Sequence, residues 1–140
     1  MSDFAPIPDE LEQLAKIAVN AAFRVHSELG PGLLESVYET CLMYEFAKAS
    51  IAAERQLPAP VHYDGHILDA ALKLDILVAG QLILELKAID QLAPIHTAQV
   101  MTYLKLTDRR LGLLINFNVP LIKDGIKRII RGCIPLQNNF

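Results

Sequence analysis

The stretch from Leu72 to Lys87 leaves this chain few ways to fold. Leu72, Leu74, Ile76 and Val78 alternate with other residues, and beyond Ala79-Gly80-Gln81 the alternation resumes at Leu82, Leu84 and Leu86. A period of two marks a strand with one apolar face, so the stretch predicts two strands around one turn. Directly opposed residues of an antiparallel pair point to the same side of a sheet. The apolar faces coincide if Val78 faces Leu82 across the loop Ala79-Gly80-Gln81, with Gly80 available for the positive φ that such loops use. Asp75 then lies across from Glu85, on the face that also carries Lys73 and Lys87. A slip of one residue would set Asp75 beside Leu84 and turn an apolar face against a polar one.

A chain of 140 residues is expected to form one domain spanning 1–140, with 1–8 and 135–140 loosely held. No run of about 18 uncharged apolar residues occurs, so neither a transmembrane helix nor a membrane partner is expected. Met1 to Pro8 has an acidic residue and two prolines but no basic start leading into an apolar stretch, which argues against a signal peptide. Cys41 and Cys133 stand far apart and read as free, mostly buried thiols, which makes the expected location cytoplasmic. The net charge is −3 but is unevenly spread. Between Thr97 and Arg131 lie Lys105, Arg109, Arg110, Lys123, Lys127, Arg128 and Arg131 against Asp108 and Asp124. That segment reads equally as a patch that meets phosphates and as ordinary solvated faces.

Along the chain, Leu11, Leu14, Ala15, Ala18, Ala22, Val25 and Leu29 recur in steps of three and four, predicting an amphipathic helix from Glu10 to Glu28 that Gly30-Pro31-Gly32 stops. A second helix is expected from Leu33 or Leu34, with Leu34, Tyr38, Cys41, Leu42 and Phe46 on one side. The prolines of Leu57-Pro58-Ala59-Pro60 permit only an edge strand or an extended approach. Asp64-Gly65 between short apolar segments signals a hairpin whose second arm continues, through a bulge, into Leu72 to Val78. His96 to Leu106 reads as a helix with Ala98, Met101 and Leu104 inward, and Leu111 to Phe117 as a strand buried on both faces. Asp124-Gly125 suggests a turn, followed by either a short strand or a helical turn. The order calls for a sheet covered by helices on its faces.

Two carboxylates on neighbouring strands, with a lysine two residues beyond one of them, make a compact site for a hard divalent cation. Asp75 and Glu85 supply the carboxylates, the backbone carbonyl of Leu86 a third oxygen, and Lys87 a cation that holds a water or offsets charge on a phosphate. The competing reading is that Asp75 and Glu85 form surface ion pairs with Lys73 and Lys87. Glu35 and Tyr38, three apart, are read as sharing a face of the second helix, and Gln99 and Tyr103, four apart, a face of the later one. His26, His62, His66 and His96 have no zinc-ligand spacing and read as surface or hydrogen-bonded core groups. Gly30-Pro31-Gly32 lacks the Lys and Ser or Thr of a phosphate loop.

Taken together, these residues resemble the GxxExxY family of the PD-(D/E)xK nuclease superfamily over about Val19 to Arg131. Gly32-Leu33-Leu34-Glu35-Ser36-Val37-Tyr38 matches the motif that names the family, and Asp75 with Glu85-Leu86-Lys87 matches the superfamily site. Gln99-Val100-Met101-Thr102-Tyr103 is similar to the Q-x-x-x-Y helix of the branch resembling the RecB nuclease. Leu74 stands where the superfamily name has proline, at a position that carries no ligand. The resemblance implies an α/β restriction-endonuclease-like core, a mixed sheet flanked by helices, with the catalytic hairpin at Leu72 to Lys87. It also implies Mg²⁺-dependent hydrolysis of DNA phosphodiesters, with Mn²⁺ as a substitute. Glu35 would then assist metal or water indirectly, while Gln99 and Tyr103 would orient Lys87 or hold a phosphate. The alternatives are a non-catalytic module of the same fold that binds nucleic acid or a protein, and a homodimer built on the apolar run and exposed edges.

Overall fold

The computed structural model describes residues 5–132. Two helices, α1 (Asp9–Leu29) and α2 (Glu35–Lys48), precede strands β1 (Ala53–Tyr63), β2 (His66–Val78) and β3 (Leu82–Lys87). Helix α3 (Pro94–Leu106) leads into β4 (Leu111–Asn116), and a single 3₁₀ turn, Ile122–Gly125, precedes β5 (Ile126–Ile130). The strands form one sheet in the order β1-β2-β3-β4-β5. Only β3 and β4 are parallel, and a parallel pair needs a crossover, which α3 supplies. This is the α/β fold with a mixed sheet flanked by helices that the motif order implied.

The central hairpin has the register that the alternation demanded. Val78 pairs with Leu82, Leu77 with Ile83 and Ile76 with Leu84. The loop turns through two left-handed residues, Ala79 at φ 52° and Gly80 at φ 69°, so the positive φ expected at Gly80 is shared with an alanine. Asp64 and Gly65, at φ 50° and 79°, close the β1–β2 hairpin, and its register shifts between Ala59 and Val61 as the expected bulge.

Two helical faces differ from their periodicity. Leu34, expected inward, immediately precedes α2 rather than belonging to it and is 74% exposed. On α3 the buried residues are Val100 and Leu104, whereas Ala98 and Met101 face outward. The reason lies in β4: a Cβ on Gly112 would sit 2.8 Å from Val100 Cγ1 and 3.6 Å from Leu104 Cδ2. The missing side chain opens a hollow in the sheet, and α3 rolls its Val100–Leu104 edge into it. Helix α1 has its expected stripe from Leu11 to Val25, with Leu29 exposed instead, and it ends at Gly30 in a left-handed conformation whose N–H donates to His26 O at 2.8 Å.

Helices α1 and α2 cover one face of the sheet, packing Ala18, Ala22, Tyr38, Leu42 and Phe46 on Ile76, Leu84, Leu86 and Ile115. Helix α3 covers the other over Leu74, Leu77, Ile83 and Leu114. Strand β4 is therefore buried on both faces, as its unbroken apolar run required. The single apolar face expected for Leu72, Leu74, Ile76 and Val78 is not present: Leu72 and Leu74 join the α3 side, Ile76 and Val78 the α1–α2 side. The strand reverses its faces at Asp75, next to Gln56 of β1, whose φ of 50° breaks the pleat there. No described helix is long and apolar enough to cross a membrane.

The α3–β4 contact has a measurable consequence. Gly112→Ala must displace the stiff, β-branched Val100 and is expected to destabilise the fold by about 1–3 kcal/mol, seen as a lower urea midpoint. An unchanged midpoint would mean that α3 is not seated by this glycine.

Candidate active site

The site forms where β2 and β3 part. Their ladder runs only from Val78–Leu82 to Ile76–Leu84. Two residues beyond Leu84, the Leu86 N–H has no β2 carbonyl to receive it and donates instead to Asp75 Oδ2 at 2.8 Å. This holds the Asp75 carboxylate between the strands, beside Glu85. Glu85 is 5% exposed, and its Oε1 has no hydrogen-bond partner. Its Oε2 lies 3.8 Å from Lys87 Nζ.

Burial is the main cause that raises the proton affinity of both carboxyls. For Glu85, burial and then the Asp75 charge push the pKa up to about 8, against a pull downward from Lys87. Asp75 is also raised by burial, but less freely, because the Leu86 N–H and the Glu85 side chain favour its charged form. Such a pair titrates as one unit.

The flanking helices supply the other expected residues. Glu35 opens α2 and lines a cleft of about 410 Å³ with Ser36, Glu39, Arg55, Gln56, Asp75 and Leu86. Its charge also bears on Glu85. On α3, Gln99 Nε2 donates to Tyr103 Oη at 3.0 Å. Burial raises the Tyr103 pKa, and the Glu85 and Asp75 charges add to it.

Tyr38 is elsewhere. Its ring is fully buried and stacks on Phe117 at 4.3 Å, while its hydroxyl donates to Gly30 O at 2.6 Å and accepts from Leu33 N at 3.1 Å. Glu35 is exposed at the start of α2 whereas Tyr38 is buried against Phe117, so the two do not meet at one site. Tyr38 instead pins the Gly30–Leu33 loop, which fixes where α2 begins and so where Glu35 stands.

The arginines of the basic segment make structural contacts, whereas Lys105, Lys123 and Lys127 are exposed. Arg109 Nε donates to Gly80 O at 3.0 Å, Arg110 Nη2 to Ala5 O at 2.7 Å, and Arg128 pairs with Glu12 at 2.6 Å. Arg131 pairs with Asp108. These arginines gather at the Gly80 end of the hairpin, away from the parted strands. His26 bonds Val119 O and His96 accepts from Ala93 N at the start of α3, in keeping with hydrogen-bonding roles. Cys41 is a half-buried free thiol, and Cys133 lies outside the described residues.

Four residues at the site escaped the sequence reading. Glu39, Arg55 and Gln56 line the cleft, and Asn116 ties the segment after Lys87 to β4. Asn116 Nδ2 donates to Ile89 O at 2.9 Å, and its Oδ1 accepts from Ile89 N at 3.1 Å. For Glu39 the available signal was an acid one helical turn after Glu35, on the same face.

A hard-cation fit rests on the donor set. Two carboxylates meet in a buried gap, and one buried oxygen, Glu85 Oε1, has no partner. Oxygen donors of this kind suit Mg²⁺. Among the described residues, no three or more His, Cys, Asp and Glu side chains converge as a complete cage, so any cation here would complete its shell from water or substrate.

The model of the PD-(D/E)XK nuclease superfamily matches residues 12–129. This chain belongs to that superfamily. The match takes in Glu35, Asp75, Glu85, Lys87, Gln99 and Tyr103, so every residue of the candidate site lies inside the superfamily region. The fold is similar to that in the crystal structure of SSO0001, with a TM-score of 0.53 at 16% identity. That alignment covers 87% of this chain and 60% of the other, so this superfamily member spans under two thirds of its structural neighbour. No curated protein matches the chain.

The buried carboxyls make the metal-free PD-(D/E)XK fold sensitive to pH. Glu85 binds its proton more tightly folded than unfolded, so its contribution to stability is fullest below about pH 4.5 and is lost as pH rises to about 8. The loss is on the order of a few kcal/mol. Glu85→Gln should flatten this slope and raise the melting temperature at pH 8 without metal, as calorimetry would show. An unchanged pH profile would rule out the buried-carboxyl account.

Proposed function

We propose that this chain is a metal-dependent deoxyribonuclease of the GxxExxY family, hydrolysing DNA phosphodiester bonds. The observation that carries this reading is the unpartnered, buried Glu85 Oε1 beside Asp75, with the Lys87 ammonium next to the pair. Burying two carboxylates together works against folding, so an arrangement of this kind points to a cation that repays it.

Asp75, Glu85 and the Leu86 backbone carbonyl would hold Mg²⁺ or Mn²⁺, with Glu35 assisting through a water. The chemistry such a cation would supply is Lewis-acid polarisation of a phosphoryl oxygen and a lower pKa for a water. The rest falls to the chain's own groups. Lys87 keeps a water in place through its ammonium and offsets the negative charge that builds on the phosphate oxygens. Tyr103, held by Gln99, orients Lys87 or donates to a phosphate oxygen. The closely covered site, with β4 and α3 behind it, keeps the dielectric low and so strengthens each of these interactions. Water oxygen joins phosphorus, the bond to one sugar oxygen breaks, and that oxygen leaves carrying a proton.

With Mg²⁺ or Mn²⁺ present, the purified protein should nick or degrade a DNA substrate. Lys87→Ala should lower that rate by about 100-fold or more while its circular dichroism and melting curve stay those of the parent. Equal rates in parent and variant would reject the assignment. Calorimetric titration should likewise detect Mn²⁺ binding that Asp75→Asn removes. Binding that survives this substitution would place the cation elsewhere.

A further inference from the structure

Strand β1 reaches the cleft at Arg55 and Gln56. Neighbouring residues of a strand point to opposite faces, yet these two donate to the same carboxylate. Arg55 Nε bonds Glu39 Oε2 at 2.8 Å, and Gln56 Nε2 bonds Glu39 Oε1. What permits this is the left-handed backbone of Gln56, at φ 50°. The ladder pairs Arg55 with Ile76 and Leu57 with Leu74, so Gln56 stands opposite Asp75 with no pairing between them. A non-glycine residue held in that region is strained, and such strain concentrates where a side chain must be aimed.

Glu39 is buried, and each of its oxygens accepts a hydrogen bond from β1. Its partner is in the opposite situation. The Arg55 side chain is 43% exposed, and Arg55 is the one cation lining the cleft that Glu35, Asp75 and Leu86 also line. Nε and Nη2 are held by Glu39 and by Thr40 Oγ1, the latter at 3.2 Å, which leaves Nη1 with no protein acceptor among the described residues. A guanidinium fixed on one side and free on the other is a preorganised fork for a phosphate. On this wall, three carboxylates would otherwise repel an incoming strand.

We propose that Arg55 binds a phosphate of the DNA strand next to the one being cleaved, with Glu39, Thr40 and Gln56 as positioning residues that hold its guanidinium in the cleft. This rests on the nuclease reading above and extends it to the path of the substrate along α2 and β1.

The test is fluorescence anisotropy with fluorescein-labelled single-stranded and duplex oligonucleotides, over a salt series with Mg²⁺, on a Lys87→Ala background. One lost phosphate contact lowers the slope of log K against log salt by about 0.7 to 0.9. Arg55→Gln should show that drop and bind about tenfold more weakly. In the chain with Lys87 intact, it should raise KM and leave kcat within about twofold. Arg55→Gln leaves Glu39 buried without its main partner. If it fails to fold, the same comparison is made between Glu39→Gln and the double variant Glu39→Gln/Arg55→Gln. An unchanged slope and affinity, with the parent binding and cutting DNA, would overturn the role of Arg55 alone. A parent chain that neither binds nor cuts either oligonucleotide would overturn this inference and the nuclease reading together.

Discussion

The hydrogen bond from Leu86 N–H to Asp75 Oδ2 is the point on which the rest of the site depends. In an unbroken ladder the amide would be satisfied by a backbone carbonyl, and the strands would stay closed. Here a side-chain carboxylate takes its place, so β2 can leave β3 after Ile76 without orphaning a buried donor. The gap that opens holds Asp75, Glu85 and Lys87 in a space of a few ångströms. Its walls are rigid because β3 is flanked on its other side by β4, from Leu82–Leu111 to Lys87–Asn116.

That rigidity comes from the two unequal layers. Tyr38 and Phe117 stack where α2 meets the end of β4, and the Tyr38 hydroxyl secures the loop that launches α2. On the far face, Gly112 lets α3 seat Val100 and Leu104 closely on the sheet, and the same helix carries the hydrogen-bonded Gln99 and Tyr103. Asn116 then bridges the connection that follows Lys87. The side chains of the candidate site are therefore placed by residues outside it. Tyr38, singled out by its spacing from Glu35, belongs to that supporting set.

Electrostatics divides the molecule in the same way. The arginines of the later segment tie the Gly80 loop, the N-terminal approach to α1 and strand β5 to one another, through main-chain oxygens and single acids. The acids collect at the parted strands, where Glu35, Glu39, Asp75 and Glu85 are opposed, among the described residues, by Lys87 and Arg55. Gathering acids in a buried gap works against folding and raises the proton affinity of Asp75 and Glu85. The stability lost there is made up by the apolar layers on both faces of β3 and β4.

Much of this was legible in the sequence because it depends on parity and local period. The pairing of Val78 with Leu82 followed from two alternations that could face the same way in few registers, and Asp75 with Glu85 followed from the pairing. The burial of Leu111 to Phe117, the edge position of the Pro58–Pro60 strand and the α1 stripe were equally local. What the tertiary structure alone decided is how elements distant in the chain meet. Gln56, on a different strand, reverses the faces of β2 at Asp75, and a hollow at Gly112 turns α3 onto Val100 and Leu104. Glu39 gains Arg55 and Gln56 only because α2 and β1 fold back on each other. Periodicity reports which side of an element is apolar, but not which neighbour arrives to bend it, and it is that bending which turns a charged strand pair into a site.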